Sequence, residues 1–441
     1  MIRAWARLPS FSPLTTRLGH QRHFSATSSV RVVKSIASLP ARAVPQFAET
    51  SHHSLLALQW PSPPRNILFV RKDSKDSAIS EATLELARHL HSTYPDVNLV
   101  FEPRVAASIH DELDFPVFSL ADKQVGNAFY QEKIDLTATL GGDGTILHAA
   151  SLFSTASSVP PILSFSMGTL GFLGEWKFAE YKRAFREVYV SGAPSSSPDS
   201  SDQAESAWTA LRGKSMGSSR PSRILLRNRL RIGLFDANGV RLPHAPTSTS
   251  GGGAGGDVFA LNEVLLHRGS LPHLAHITIL IGSPGNQRTL TTAIADGMLI
   301  CTPTGSTAYS LSSGGSIVHP LVSSLLLTPI CPRSLSFRPL VLPANTPVTL
   351  RIDELNRGKE IEVSVDGVRR REGLKVGMEV RVVGEETRSA GAPGERQWKG
   401  GVPSIVRSSS SGTGTGGGQE DHWVGGLNSL LKFNYPFGED G

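Results

Sequence analysis

A single carboxylate set among glycines, Gly141-Gly142-Asp143-Gly144-Thr145, carries the strongest chemical signal in the chain. It follows the apolar, β-branched run Ile134-Asp135-Leu136-Thr137-Ala138-Thr139-Leu140 and precedes Ile146-Leu147-His148-Ala149-Ala150, where a helical pattern begins. Strand, glycine turn and helix in that order point backbone N–H groups outward and aim a helix dipole at an anion, which is how a chain cradles phosphate. Glycine suits such a turn because a side chain would hold the phosphate off the backbone, and because tight turns often need positive φ. Asp143 breaks the pattern. A carboxylate beside polyphosphate is repelled, so its presence points to work on a proton or a metal. For this stretch alone the plain alternative is a tight turn with an aspartate cap.

A second run narrows the choice. Residues 296–320 open as an apolar strand, Asp296-Gly297-Met298-Leu299-Ile300-Cys301, and continue into Thr302-Pro303-Thr304-Gly305-Ser306-Thr307-Ala308-Tyr309-Ser310-Leu311-Ser312. Small hydroxyls and exposed amides suit the sugar, phosphates and base edges of a nucleotide, and Tyr309 adds a ring or an OH.

Together with Asn262-Glu263, and with Gly168-Thr169-Leu170-Gly171-Phe172-Leu173-Gly174 between them, these motifs resemble the NAD kinases in order and rough spacing. The likeness runs from about residue 66 to 383, with an echo at Gly426-Leu427-Asn428. Residues 328–339, with Cys331-Pro332-Arg333-Ser334-Leu335-Ser336-Phe337-Arg338-Pro339, look particularly like the fungal mitochondrial NADH kinase branch.

The resemblance implies transfer of the γ-phosphoryl of ATP to the 2′-OH of the adenosine ribose of NADH and NAD⁺, giving NADPH and NADP⁺. By position Asp143 matches the family's proposed general base, with Gly141, Gly142, Gly144 and Thr145 around the phosphate. Asn262 and Glu263 match its pyridine-nucleotide contacts, and Asp296 the aspartate on the nicotinamide side. The loop residues Thr304, Gly305, Ser306, Thr307, Ala308, Tyr309 and Ser312 fall on nucleotide-binding positions, and Phe172 on a base-stacking one. Mg²⁺ is expected with ATP, bound mainly through nucleotide phosphates because the sequence offers no compact cage. A homo-oligomer is implied as well. Two departures stand out: Ser166 where many members carry Asn, and Ile294 where several bacterial members carry a basic residue. Val365-Asp366-Gly367 resembles a further family motif, and by itself reads as a hairpin turn.

The elements needed to position these residues follow from periodicity. Residues 66–70, 97–101, 134–140 and 161–165 read as strands, with a helix over 80–91, so the first half is a β-α-β unit with a parallel, three-layer sheet. Its ligand belongs at the carboxyl ends of the strands. From 224 onward the strand-like runs 227–234, 258–267, 276–281, 298–302, 348–352, 361–365 and 379–383 imply a β-rich domain. The expected organisation is 1–24 transit peptide, 25–60 linker, 61–190 α/β domain, 191–223 low-complexity insertion, 224–384 β-rich domain (247–256 a Gly/Ser insertion), 385–419 a second low-complexity insertion and 420–441 a segment returning to the core. Ser, Gly and Pro in the insertions cannot bury a core.

Charge separates the functional classes further. The chain has 441 residues and a formal charge of +6. Arg3, Arg7, Arg17, Arg22, Arg31, Lys34 and Arg42 all precede the first acidic residue, Glu49. Without those seven charges +6 becomes −1, so no basic body is left to bind nucleic acid, and no apolar run approaches the ~20 residues of a membrane span. The acid-free, Arg- and Ser-rich start reads as a mitochondrial address to the matrix, with Arg22-His23-Phe24-Ser25 resembling a processing site. Cys301 and Cys331 show no metal spacing and read as small core residues. The alternatives are a diacylglycerol- or sphingosine-type lipid kinase, which shares the GGDG element, and a non-catalytic pyridine-nucleotide sensor. Thr302 to Tyr309 with Asn262-Glu263 argue against the first, and Asp143 against the second.

Overall fold

The strand Leu136–Leu140 is buried along its whole length because both of its faces are covered. In the computed structural model, which describes residues 32–50, 53–73, 77–121, 127–168, 171–174, 176–192, 221–243, 256–387 and 398–407 with Trp423, Leu427 and Leu431, it lies in the parallel part of a mixed sheet. Asn66–Arg71 flanks it on one side and Ile162–Ser166 on the other. Beyond Asn66–Arg71 come Asn98–Phe101, Val117–Ser119 and Val33–Ser35, all parallel. Successive side chains enter opposite cores: Ile67 and Phe69 pack with Leu86 and Leu90 of the helix Ser77–Thr93. Leu68 and Val70 pack with Ile146 and Ala149 of the helix Asp143–Ser151. That alternation makes the three layers expected for the first half.

The second half is a β-sandwich. A seven-stranded and a six-stranded antiparallel sheet enclose one core, with Ile232, Ile277, Leu350 and Val380 from the first facing Val264, Met298, Ile300 and Leu327 from the second.

Several boundaries differ from the sequence reading. Residues 25–60 were expected to be linker, yet Val33–Ser35, Gln46–Thr50 and His53–Gln59 are strands of the first sheet. The buried Asp135 helps tie this segment down, accepting from the amides of Ala43 (2.6 Å), Arg65 (2.6 Å) and Asn66 (2.8 Å). The run 227–234 is two strands, Arg223–Arg227 in the first sheet and Leu230–Phe235 in the second. Likewise 258–267 breaks into Val258–Ala260 and Glu263–His267, which join different sheets of the sandwich.

The largest correction concerns residues 385–419, expected to be a low-complexity insertion that cannot bury a core. Val402–Val406 is a fully buried strand inside the first sheet, parallel to Ile162–Ser166 and antiparallel to Arg223–Arg227. Glu385 pairs with the buried Arg229 at 2.7 Å, and Arg229 also donates to the carbonyls of Phe153 (3.1 Å) and Ala156 (2.9 Å). Since Arg229 sits where the chain passes from one sheet to the other, this bridge is the joint between the two halves. Cys331 is exposed rather than a core residue, while Cys301 is buried as expected. The expected transit peptide and most of 193–220, 244–255 and 420–441 lie outside the described residues; Trp423 is described and meets the His319 ring at 4.7 Å.

Candidate active site

The glycine turn follows the central strand and opens directly into its helix, as the sequence pattern requires. Gly142 is the N-cap and Asp143 the first helical residue, so a carboxylate stands in the positive field of the helix N-terminus. Among the described residues a Cβ at Gly142 or Gly144 would meet no atom within 4 Å, so packing there does not demand glycine and the space over the turn is open. Gly141 donates to the Phe165 carbonyl at 3.0 Å, which ties the turn to the neighbouring strand. Thr145 is buried beneath the turn.

Asp143 does not point freely into solvent. Its Oδ2 accepts from the Phe172 amide at 2.9 Å and its Oδ1 from the Leu173 amide at 3.1 Å. Gly171 has to be glycine for this, because a Cβ there would lie 2.2 Å from Asp143 Oδ1. The segment expected to supply a stacking ring thus also fixes the carboxylate through its backbone. Phe172 is half-buried, and its carbonyl faces the Arg227 guanidinium at 3.5 Å. Each carboxylate oxygen keeps a second lone pair for a substrate proton.

The second centre forms around Asn262 and Glu263. Leu261 belongs to the same buried cluster as Ile146 and Leu173, so the two motifs flank one core. Three successive amides, of Leu261 (2.7 Å), Asn262 (2.7 Å) and Glu263 (3.0 Å), donate to the carboxylate of Asp366. Asp366 occupies the turn between Glu362–Val365 and Val368–Arg369, with φ of 46° there and 77° at Gly367. Positive φ at both central residues is the type I′ geometry expected of Asp-Gly. The hairpin reading is therefore correct; the reach of its side chain to residues 261–263 is not visible in sequence.

Burial, with the Asp366 charge adding to it, pushes the Glu263 carboxyl up to about 7. Among the described residues, the buried Asn262 Oδ1 and Glu263 Oε2 find no hydrogen-bond partner. Buried polar atoms of this kind call for a ligand or water.

The long loop packs on this centre. Asn262 O accepts from the Thr302 amide at 2.9 Å, and Thr302 Oγ1 donates to the Leu261 carbonyl at 2.6 Å. A Cβ at Gly305 would lie 2.2 Å from the Asn262 carbonyl oxygen, so only glycine permits the contact. Ser306 was expected to meet the nucleotide, but its fully buried hydroxyl accepts from Val318 N at 2.8 Å and donates to Val318 O at 3.3 Å. Gly305 and Ser306 hold the loop's shape. Thr304 is buried, Thr307 and Ala308 are half-buried, and Tyr309 and Ser312 are exposed at the rim.

Asp296 stands apart. Cys301 lies opposite Glu263 in the sheet and Gly297 opposite His267, so Asp296 is at the far end of the strand Gly297–Cys301. Four or five strand residues separate it from Asn262-Glu263, roughly 15 Å. Its Oδ1 accepts from Arg268 Nε at 2.5 Å. Sequence reasoning missed Arg268, which carries no motif and becomes a partner only through the strand pairing. Ser166, the departure from the usual Asn, is buried and accepts from the Gly168 amide at 3.3 Å. Among the described residues no group of three or more His, Cys, Asp or Glu side chains gathers to hold a metal.

The geometry thus combines an open glycine turn at a helix N-terminus, an anchored carboxylate and a buried polar pair with no hydrogen-bond partner among the described residues. Comparison with known proteins gives the same answer. Residues 67–192 match the ATP-NAD kinase N-terminal domain and residues 261–388 its C-terminal domain. The chain is 34% identical to the mitochondrial NADH kinase of Schizosaccharomyces pombe, covering 96% of this chain and 91% of that one. It is also 34% identical to the mitochondrial NADH kinase of Saccharomyces cerevisiae, over 95% and 92% respectively. The crystal structure of yeast NADH kinase complexed with NADH superposes with a TM-score of 0.68 at 32% identity, over 93% of this chain and all of that one. Lipid kinases and nucleotide sensors are not favoured by these matches. The chain belongs to the NAD kinase family, phosphotransferases that act on a hydroxyl group.

Proposed function

We propose that this enzyme transfers the γ-phosphoryl of ATP to the 2′-OH of the adenosine ribose of NADH and NAD⁺, supplying NADPH and NADP⁺ in the mitochondrial matrix. The observation that carries the reading is the open Gly142–Gly144 cradle with Asp143 pinned beside it by two amides. A ribose hydroxyl is a poor nucleophile, and a positioned carboxylate takes its proton as the O–P bond forms. The carboxylate of Glu263 accepts from ribose hydroxyls, and Asn262 offers its free oxygen to a donor on the nucleotide. Phe172 gives a base a face, and Thr307, Ala308, Tyr309 and Ser312 border the entrance. Mg²⁺ fits this cradle if it arrives on the phosphates, where it would neutralise their charge. Incubation with ATP, Mg²⁺ and NADH, NAD⁺ or a diacylglycerol tests the reading; a phosphorylated lipid with no NADPH or NADP⁺ would overturn it.

The preferred acceptor is NADH, with NAD⁺ also used. The two differ at the nicotinamide ring, cationic only in NAD⁺, so an isolated Asp296 would favour NAD⁺ by attraction. Arg268 pairs with that carboxylate and cancels most of the pull. We expect kcat/KM to be higher for NADH. Equal or higher kcat/KM for NAD⁺, measured with the purified protein, would refute the preference.

The matrix address rests on the N-terminal composition and on the mitochondrial relatives. Deleting residues 1–24 is expected to leave an active kinase that stays outside mitochondria, scored by fractionation; matrix import of the shortened chain would place the address elsewhere. Among the described residues no helix is long and apolar enough to cross a membrane. The proposed assembly is a homo-oligomer. Arg288–Ala295 is an edge strand with five exposed residues in a row, an open pairing surface.

A further inference from the structure

We infer that Asp366 is a positioning residue for the pyridine nucleotide, holding Asn262 and Glu263 in their binding geometry from the tip of a separate hairpin. The inference rests on the kinase reading above. A hairpin turn needs only φ and ψ from its central residues, and Asn-Gly satisfies a type I′ turn as well as Asp-Gly. What distinguishes Asp366 is that its side chain collects three consecutive N–H groups a hundred residues away in sequence, at 2.7, 2.7 and 3.0 Å. The link is reciprocal, since the Asp366 amide donates to the Glu263 carbonyl at 3.0 Å. Three donors on two oxygens suit a carboxylate; an amide side chain would turn an NH₂ toward at least one of them.

The clamped residues are the ones with unspent hydrogen-bonding capacity. The buried Asn262 Oδ1 and Glu263 Oε2 have no partner among the described residues, while their backbones are fixed by Asp366 and by the Thr302 loop. Fixing the backbone immediately before and at the pair limits where the two side chains point. The ordering is then complete before the nucleotide arrives, and binding does not have to supply it.

The clamp also sets the charge around Glu263. Asp366 faces it from the hairpin, Cys301 lies opposite it on Gly297–Cys301, and Arg229 acts on Asp366 from the joint between the sheets. Burial pushes the Cys301 thiol up to about 12, so it stays neutral. Three N–H donors favour the ionised form of Asp366 against the burial that pushes its carboxyl up. Asp366 is therefore the negative neighbour that adds to burial in keeping the Glu263 carboxyl near 7.

The test is NADH binding followed by its fluorescence, without ATP, across pH 5.5 to 9 in the wild type and Asp366→Asn. Glu263 must be ionised to accept two ribose hydroxyls, so wild-type affinity should rise with pH through about 7. Removing the like charge should move that rise to lower pH. Loss of one charge-assisted contact should weaken Kd about tenfold at pH 8. With NADH saturating, kcat should stay within about threefold. Both the shift and the weakening are expected. An unmoved midpoint, or a Kd within twofold of wild type, overturns the inference, because a merely structural turn would lower affinity equally at every pH. Asp366→Asn retains the turn geometry, which guards against simple unfolding. If the wild type binds NADH but makes no NADPH with ATP, the kinase reading fails while this measurement still decides the role of Asp366.

Discussion

Asp143→Asn is expected to lower kcat with ATP and NADH by about 10²- to 10⁴-fold, the usual contribution of a general base. That is roughly 3–5 kcal/mol of barrier, at about 1.4 kcal/mol per decade. The substitution also disturbs the anchor. Asn keeps one carbonyl oxygen for the amides of Phe172 and Leu173, but its NH₂ must face the other donor. Losing one such charge-assisted hydrogen bond costs about 1.5–3 kcal/mol. Misplacement alone thus falls short of the upper part of the expected loss, and the missing proton acceptor has to account for the rest. Nucleotide affinity should move the other way or hardly at all, because a negative charge beside the phosphates has gone. Turnover above a tenth of wild type in a variant that still binds ATP would show that the proton leaves by another route.

The turn that carries Asp143 was legible because its logic is local. Strand, glycine turn, carboxylate and helix occupy one continuous stretch, and each part has a physical reason visible in the residue types. The same holds for Asp366-Gly367 as a hairpin turn. What the sequence hid is reach across the fold. The amides that hold Asp143, the carboxylate that holds Asn262 and Glu263, and Arg268 beside Asp296 are all joined by strand order or loop docking. No spacing rule announces such partners. Ser306 shows a related effect: its hydroxyl type suits a nucleotide, and the bond that burial gives it to Val318 is not visible in sequence. Composition misled most around residue 402. A five-residue buried strand, Val402–Val406, sits between Ser- and Gly-rich stretches, and averaging over the window concealed it. Low complexity on both sides of a strand says nothing about the strand.

That strand carries the last prediction. Judged by loop-closure entropy alone, excising residues 385–419 would be nearly free, since doubling a loop changes the cost by only about 0.6 kcal/mol. The structure reverses that expectation. The excision removes the buried side chains of Val402, Ile405 and Val406, each about 1.5–3 kcal/mol when fully buried. It removes the strand that lies between Ile162–Ser166 and Arg223–Arg227 and pairs with both, exposing two strand edges in the middle of a sheet. It also strips Arg229 of Glu385, and breaking a buried pair typically costs 3–5 kcal/mol. These losses together match or exceed the 5–15 kcal/mol that holds an ordinary domain folded. The excised protein should therefore be insoluble or lack a cooperative melt. Replacing only residues 388–397 with a short Gly-Ser linker spares both the strand and Glu385. Its ends are already close, since Lys399 N donates to Thr387 O at 3.1 Å. That variant should melt within a few degrees of wild type and keep its activity. A soluble, cooperatively melting product of the full 385–419 excision would mean that Val402–Val406 does not hold the sheet together.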